Sequence, residues 1–192
     1  MQIVDLEPAA SQQIEEVAAL LVEAFREHHP DAWPDLESAR ATVQESFGPD
    51  RLSRVALDDR GQVLGWIGAL PDYDGHVWEL HPLVVRPARQ GQGIGRRLVA
   101  DLEAWVRARG GGTIRLGTDD ENNQTSLGGV DLYPQPLAHL AQIRNLRRHP
   151  YEFYQKLGYA LVGVVPDANG WGKPDICMAK RITTLPQEAA GL

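Results

Sequence analysis

The stretch LHPLVVRPARQGQGIGRRLVADLEAWV, residues 80–106, reads as a strand, a break at Gly91, Gly93 and Gly95, and then a helix. A chain that leaves a strand through glycines and enters a helix at once must fold as a mixture of sheet and helix around that junction. The bend needs residues that adopt backbone conformations closed to other side chains. It also exposes several backbone N–H groups at a helix N-terminus, where they and the helix dipole form an anion site. Arg96 and Arg97 add positive charge at its rim. The ligand this implies carries a phosphate or pyrophosphate. The stretch lacks the lysine of a P-loop, and its place mid-chain after a hairpin argues against a Rossmann dinucleotide site.

The rest of the chain alternates between the two periodicities. Residues 11–27 place Ile14, Val17, Ala18, Leu21 and Phe25 at helical spacing, with Ser11 as the expected N-cap. HHPDAWPD (28–35) breaks that helix, and a short second helix follows with Leu36, Ala39, Val43 and Phe47 on one side. Residues 53–70 read as a hairpin around Asp58-Asp59-Arg60-Gly61, 71–75 as a turn and 76–85 as a strand. A helix over 94–109 stops at Gly110–Gly112. A strand is expected over 113–118, helices over 137–147 and 151–158, and strands over 159–165 and 175–181. This order predicts one α/β domain over residues 1–182, a mixed and mostly antiparallel sheet flanked by helices, with a flexible tail over 183–192.

Composition narrows the function classes. A net charge of −7 disfavours general nucleic-acid binding and suits a cationic substrate. The single cysteine, Cys177, lies between Ile176 and Met178 as a strand residue, and its lack of a disulfide partner fits a reducing cytosol. His28, His29 and Asp31 do not make a metal pattern, so no metal is expected. No apolar run is long enough to span a membrane, and a cytoplasmic location is expected.

On a regular strand Val77, Glu79, His81, Leu83 and Val85 share a face. Pro82 has no N–H to give to a ladder, so a bulge or splay is expected beside it. Glu79 and His81 therefore stand next to each other just ahead of the glycine loop, either as chemistry or as a simple hydrogen-bonded pair.

Taken with its flanks, the pattern Gln90-x-x-Gly93-x-Gly95 after LVV resembles the Q/R-x-x-G-x-G/A motif of the GNAT acetyltransferase superfamily. FYQKLGY (153–159) resembles a second element of the same family, and the element order agrees from about residue 3 to 182. WELHPLVV, LGTDD, HPYEFYQKLGY and NGWGKPDICMAK together resemble the aminoglycoside 6'-N-acetyltransferases within it. Two departures stand out: Arg147 replaces an asparagine that many members place there, and residues 119–148 are longer than the generic fold needs.

The resemblance implies splayed central strands, acetyl-CoA as cosubstrate, an aminoglycoside or other cationic amine as acceptor, and a homodimer. It implies that Gln90, Gly91, Gln92, Gly93, Ile94 and Gly95 hold the pyrophosphate. The strand Leu83, Val84 and Val85 would pair with the pantetheine arm, one N–H also polarising the thioester carbonyl. Glu79 would orient the acceptor ammonium and take its proton, with His81 as the rival base. Tyr154 would face the coenzyme sulfur, with Phe153 in the core and Tyr151 sharing the tyrosine's face. Asp119 and Asp175 would hold acceptor amines, with Asp167 adding negative charge nearby; Asp120 and Glu121 read equally as a solvated turn. Trp33 either stacks on a sugar ring or packs in the core. Two other functions remain open from the residues: acetylation of a polyamine, a metabolite or a protein N-terminus, and acyl-CoA binding without catalysis.

Overall fold

Strands β1 (Gln2–Asp5), β2 (Leu52–Leu57), β3 (Val63–Asp72) and β4 (Val77–Val85) lie side by side in that order, each antiparallel to the next. They belong to a computed structural model that describes residues 1–184. The described residues group into two compact units, one of Met1–Ile114 with the chain from Arg181 on, the other of Arg115–Lys180. Most of the tail expected from residue 183 lies outside the described residues.

In the first unit the β2–β3 hairpin turns where its composition predicts. The Asp58 carboxylate accepts from the N–H groups of Arg60 (2.8 Å) and Gln62 (3.0 Å), and Gly61 supplies the left-handed φ of +80°. Those donors hold the Asp58 carboxyl below the usual carboxylate range. One face of the sheet presents Val55, Leu57, Val63, Trp66 and Val84. Helices α1 (Ser11–Phe25) and α2 (Leu36–Glu45) cover it with Val17, Ala18, Leu21, Ala39 and Val43. Each large apolar side chain so buried contributes about 1.5–3 kcal/mol. Asp35 caps α2 by accepting from the Ser38 N–H at 2.8 Å. Ser11 is not a cap: it is the first helical residue of α1, behind Ala10, which offers no side-chain acceptor.

Helix α3 (Ile94–Ala108) packs on the opposite face through Leu98, Val99, Leu102 and Val106. Gly65 makes this approach possible, since a Cβ there would stand 3.1 Å from Leu98 Cδ1 and 2.7 Å from the Val84 carbonyl oxygen. Strand β1 had no counterpart in the strands expected from periodicity; its four residues carry only the half-buried Ile3 and Val4.

Strand β5 (Thr113–Asp119) runs into the second unit, where the order is β5, β7 (Asp175–Arg181), β6 (Ala160–Val165), with β6 and β7 antiparallel. The helix expected over 137–147 is only α4 (Pro136–Leu140). Beyond Leu140 the backbone gives its hydrogen bonds elsewhere: Leu146 and Arg147 donate to the Gln124 carbonyl, and Asn145 bridges to Thr125. The segment therefore doubles back on residues 124–126 instead of coiling. Helix α5 (Tyr151–Lys156) follows. No helix among the described residues is long and apolar enough to cross a membrane.

Candidate active site

The break in β4 falls where Pro82 requires it. Ile67 pairs with Leu83 and Ala69 pairs with Leu80, so Gly68 alone faces both His81 and Pro82. A Cβ on Gly68 would lie 2.6 Å from the His81 carbonyl oxygen, so only glycine fits opposite the bulge. Trp78, Leu80, Pro82 and Val84 are buried, while Val77, Glu79, Leu83 and Val85 are half-buried and His81 is exposed. The expected alternation thus survives the bulge. It leaves Glu79 and His81 on the less covered side of β4, upstream of Leu83 and Val85.

Five residues after β4 the Gln90 side chain reaches back, its amide donating to the Val85 carbonyl at 3.2 Å. Gly91 (φ +75°) and Gly93 (φ +81°) are left-handed, and a Cβ on either would meet nothing within 4 Å. The space beside the loop is open, as a bound phosphate requires. Gly93 is the N-cap of α3 and provides no side-chain cap, so the N–H groups that open the helix have no side-chain acceptor there. Arg96 and Arg97 are exposed at the same end. Gly93→Val is expected to weaken coenzyme A binding about tenfold or more, by obstructing the phosphates and by straining a left-handed position. Calorimetric titration checks this; unchanged affinity would remove the loop from coenzyme binding.

In the second unit β5 and β7 bring the acidic residues together. The Asp120 N–H donates to the Pro174 carbonyl at 2.9 Å, so Asp119 and Asp175 lie at neighbouring strand ends. The Asp175 carboxylate lies against Gly117, where a Cβ would be 2.5 Å from its Oδ2. Asp119 is half-buried and its Oδ1 accepts from the Asn169 side-chain amide at 2.5 Å. Asp167 takes a structural part: at φ +56° its Oδ1 accepts from the Gly172 N–H at 2.7 Å, closing a turn. Glu121 lies 3.9 Å from the Lys173 ammonium.

The surroundings of Asp120 and Trp33 bear on readings that the sequence left open. Asp120, which read equally as an acceptor-binding carboxylate or part of a solvated turn, is neither exposed nor free: it is fully buried and accepts from the N–H groups of Gln124 (2.6 Å) and Thr125 (2.8 Å) and from the Thr125 hydroxyl (2.7 Å). Trp33 takes the core alternative: it is 9% exposed, its ring packs edge-on against Phe25, and its indole N–H donates to Thr42 Oγ1 at 2.8 Å. Sequence reasoning missed His149, which is 2% exposed and contacts both Asp119 and Tyr151. Its signals were its place at the head of HPYEFYQKLGY and directly before Pro150, the N-cap of α5.

Tyr151 and Tyr154 are both buried and one helical turn apart, as expected for a shared face. Phe153, expected in the core, is only half-buried. Burial raises the Tyr154 phenol well above its ordinary value, so it stays protonated across the neutral range. Burial likewise raises the Cys177 thiol, with the Asp175 charge adding to it, which suits an inert strand cysteine.

The model of the acetyltransferase (GNAT) family matches residues 14–133. The mycothiol acetyltransferase of Stackebrandtia nassauensis is 32% identical over 98 residues, which are 49% of this chain and 32% of that protein. This chain therefore spans about a third of the length of that curated relative. An aminoglycoside 6'-N-acetyltransferase solved in complex with coenzyme A is 44% identical, with a TM-score of 0.88 over 97% of this chain and 100% of the other. The aminoglycoside 6'-N-acetyltransferase from Enterococcus faecium has the same identity and coverage, with a TM-score of 0.86. An aminoglycoside 6'-acetyltransferase of type Ii is 38% identical, with a TM-score of 0.73 over the same shares.

Proposed function

Because this chain belongs to the acetyltransferase (GNAT) family, we propose that it moves the acetyl group of acetyl-CoA onto the 6'-amine of an aminoglycoside. The observation that carries this reading is 44% identity across 97% of the chain with an aminoglycoside 6'-N-acetyltransferase holding coenzyme A. The acidic ends of β5 and β7 agree with a polycationic acceptor, and the open glycine loop agrees with a pyrophosphate.

Acetyl transfer needs a neutral amine, a stabilised oxyanion and a tolerable thiolate. Glu79 accepts the proton of the acceptor ammonium, directly or through water, and the freed nitrogen lone pair attacks the thioester carbon. A backbone N–H of β4 near Leu83 stabilises the tetrahedral oxyanion. The attack forms the C–N bond, and collapse of the intermediate restores the carbonyl and breaks the C–S bond, the electron pair leaving on sulfur. Tyr154 then assists as a hydrogen-bond donor and not as the proton source: its raised phenol is a weaker acid than an alkyl thiol, whose ordinary pKa is about 8.5. The acylated nitrogen gives up its second proton through water to the thiolate, which departs as the free thiol.

Thiol release from acetyl-CoA tests the function. Turnover with kanamycin-type amines supports it, turnover only with polyamines or peptide N-termini redirects it, and coenzyme binding without turnover rejects catalysis. Within this reading Asp119→Asn raises the aminoglycoside KM more than the acetyl-CoA KM. A lost charge-assisted hydrogen bond costs about 1.5–3 kcal/mol in a shielded site and less in a wet one. Steady-state kinetics with each substrate varied checks it, and equal effects on both would count against Asp119.

A further inference from the structure

One buried imidazole joins the acidic end of β5 to the start of α5. His149 Nε2 lies 3.0 Å from the Asp119 backbone carbonyl oxygen, and its Nδ1 lies 3.2 Å from the Tyr151 N–H. A carbonyl oxygen only accepts and an amide N–H only donates. The hydrogen therefore sits on Nε2, and Nδ1 presents its lone pair. The backbone of the same residue is clamped by one side chain: Asn145 Oδ1 accepts from the His149 N–H at 2.8 Å, and Asn145 Nδ2 donates to the His149 carbonyl at 2.9 Å. Asn145 is bridged to Thr125, whose N–H and hydroxyl are held by the Asp120 carboxylate. The chain of contacts starts at Asp120, just past the end of β5, passes through the long inserted segment, and returns to β5 at Asp119.

We propose that His149 is a positioning residue for acetyl transfer. Its Nε2–H fixes the peptide plane that follows Asp119, and with it the direction in which the Cα–Cβ bond carries the acceptor-binding carboxylate. Its Nδ1 takes one of the N–H groups that the first turn of α5 cannot satisfy, three residues ahead of Tyr154. The inserted segment thereby sets an acceptor-binding residue and a sulfur-facing residue in one frame. This rests on the roles given above to Asp119 and Tyr154.

Two substitutions separate the arms. His149→Gln keeps a donor where Nε2 stands and gives up the acceptor for Tyr151. His149→Asn keeps an acceptor near Nδ1 and gives up the donor to Asp119. With the purified full-length enzyme, His149→Asn is expected to raise the aminoglycoside KM about three- to tenfold and to leave the acetyl-CoA KM within about twofold. His149→Gln is expected to keep the aminoglycoside KM near wild type and to lower kcat. Both KM values moving together in both variants, or neither parameter moving, would overturn the proposal. Long-range proton–nitrogen spectra of the wild-type imidazole give a second test that survives misfolded variants. A neutral ring with hydrogen on Nε2 supports the assignment, and hydrogen on Nδ1 refutes it. If the wild type fails to acetylate aminoglycosides, the functional reading falls, and those spectra still decide the place of His149.

Discussion

Glu79→Gln is expected to slow a single turnover of acetyl transfer by about 10²–10⁴-fold, the usual worth of general-base assistance. Glutamine keeps the shape of the side chain and removes its basic oxygen. Acetyl-CoA affinity is expected to stay near wild type, because the resemblance assigns the coenzyme's phosphates to the 90–95 loop and not to Glu79. The residue is half-buried on β4, paired across the sheet with Leu70 and two residues ahead of the bulge at His81 and Pro82. Single-turnover measurement is the proper readout, since slow product release would hide a chemical defect in steady-state kcat. A variant with wild-type single-turnover rate between pH 6 and 9, against the assignment of about 10²-fold or more, would demote Glu79 to a binding or structural residue. His81→Ala would then be the next variant to measure.

The parts of the site that follow from local rules were legible in the sequence. Pro82 cannot complete a ladder, and β4 bulges beside it. Of the three glycines at the expected strand-to-helix break, Gly91 and Gly93 are left-handed and Gly95 lies in the first turn of α3. Periodicity also placed α1, the β2–β3 hairpin and α3 within a few residues of their observed bounds. What it could not place depends on distant partners. Residues 141–147 have helix-compatible side chains, yet the Gln124 carbonyl takes the N–H groups of both Leu146 and Arg147, and no local pattern announces that. Asp120 and Asp119 are adjacent carboxylates in one acidic run. Only the fold of the following residues makes the first a buried acceptor and leaves the second half-exposed. Trp33 reads the same on sequence whether it faces a ligand or Phe25.

The buried carboxylate supplies the largest expected loss of stability. Asp120 is fully enclosed and holds three donors, two from the backbone of Gln124 and Thr125 and one from the Thr125 hydroxyl, itself 1% exposed. Alanine would strand all three without water to replace the acceptor. Hydrogen bonds to a charged group are worth about 1.5–3 kcal/mol each, and bonds sharing one carboxylate do not add fully, so Asp120→Ala is expected to cost about 3–5 kcal/mol. No neighbour can move in to compensate, because the loop is already tight: a Cβ on Gly128 would stand 2.8 Å from Asp120 Oδ2. Asp120→Asn should lose less, since one acceptor oxygen remains while the amide nitrogen opposes a donor. Denaturant titration measures the cost, and amide hydrogen exchange locates it. Exchange should accelerate at Gln124, Thr125, Leu146 and Arg147, whose hydrogen bonds all run through this loop, while α1 and α3 stay protected. A loss below about 1 kcal/mol, the worth of one ordinary neutral hydrogen bond, would mean that the loop holds its shape without Asp120. In that case the ring of contacts ending at His149 and Asp119 would be a consequence of the fold around it and not its support.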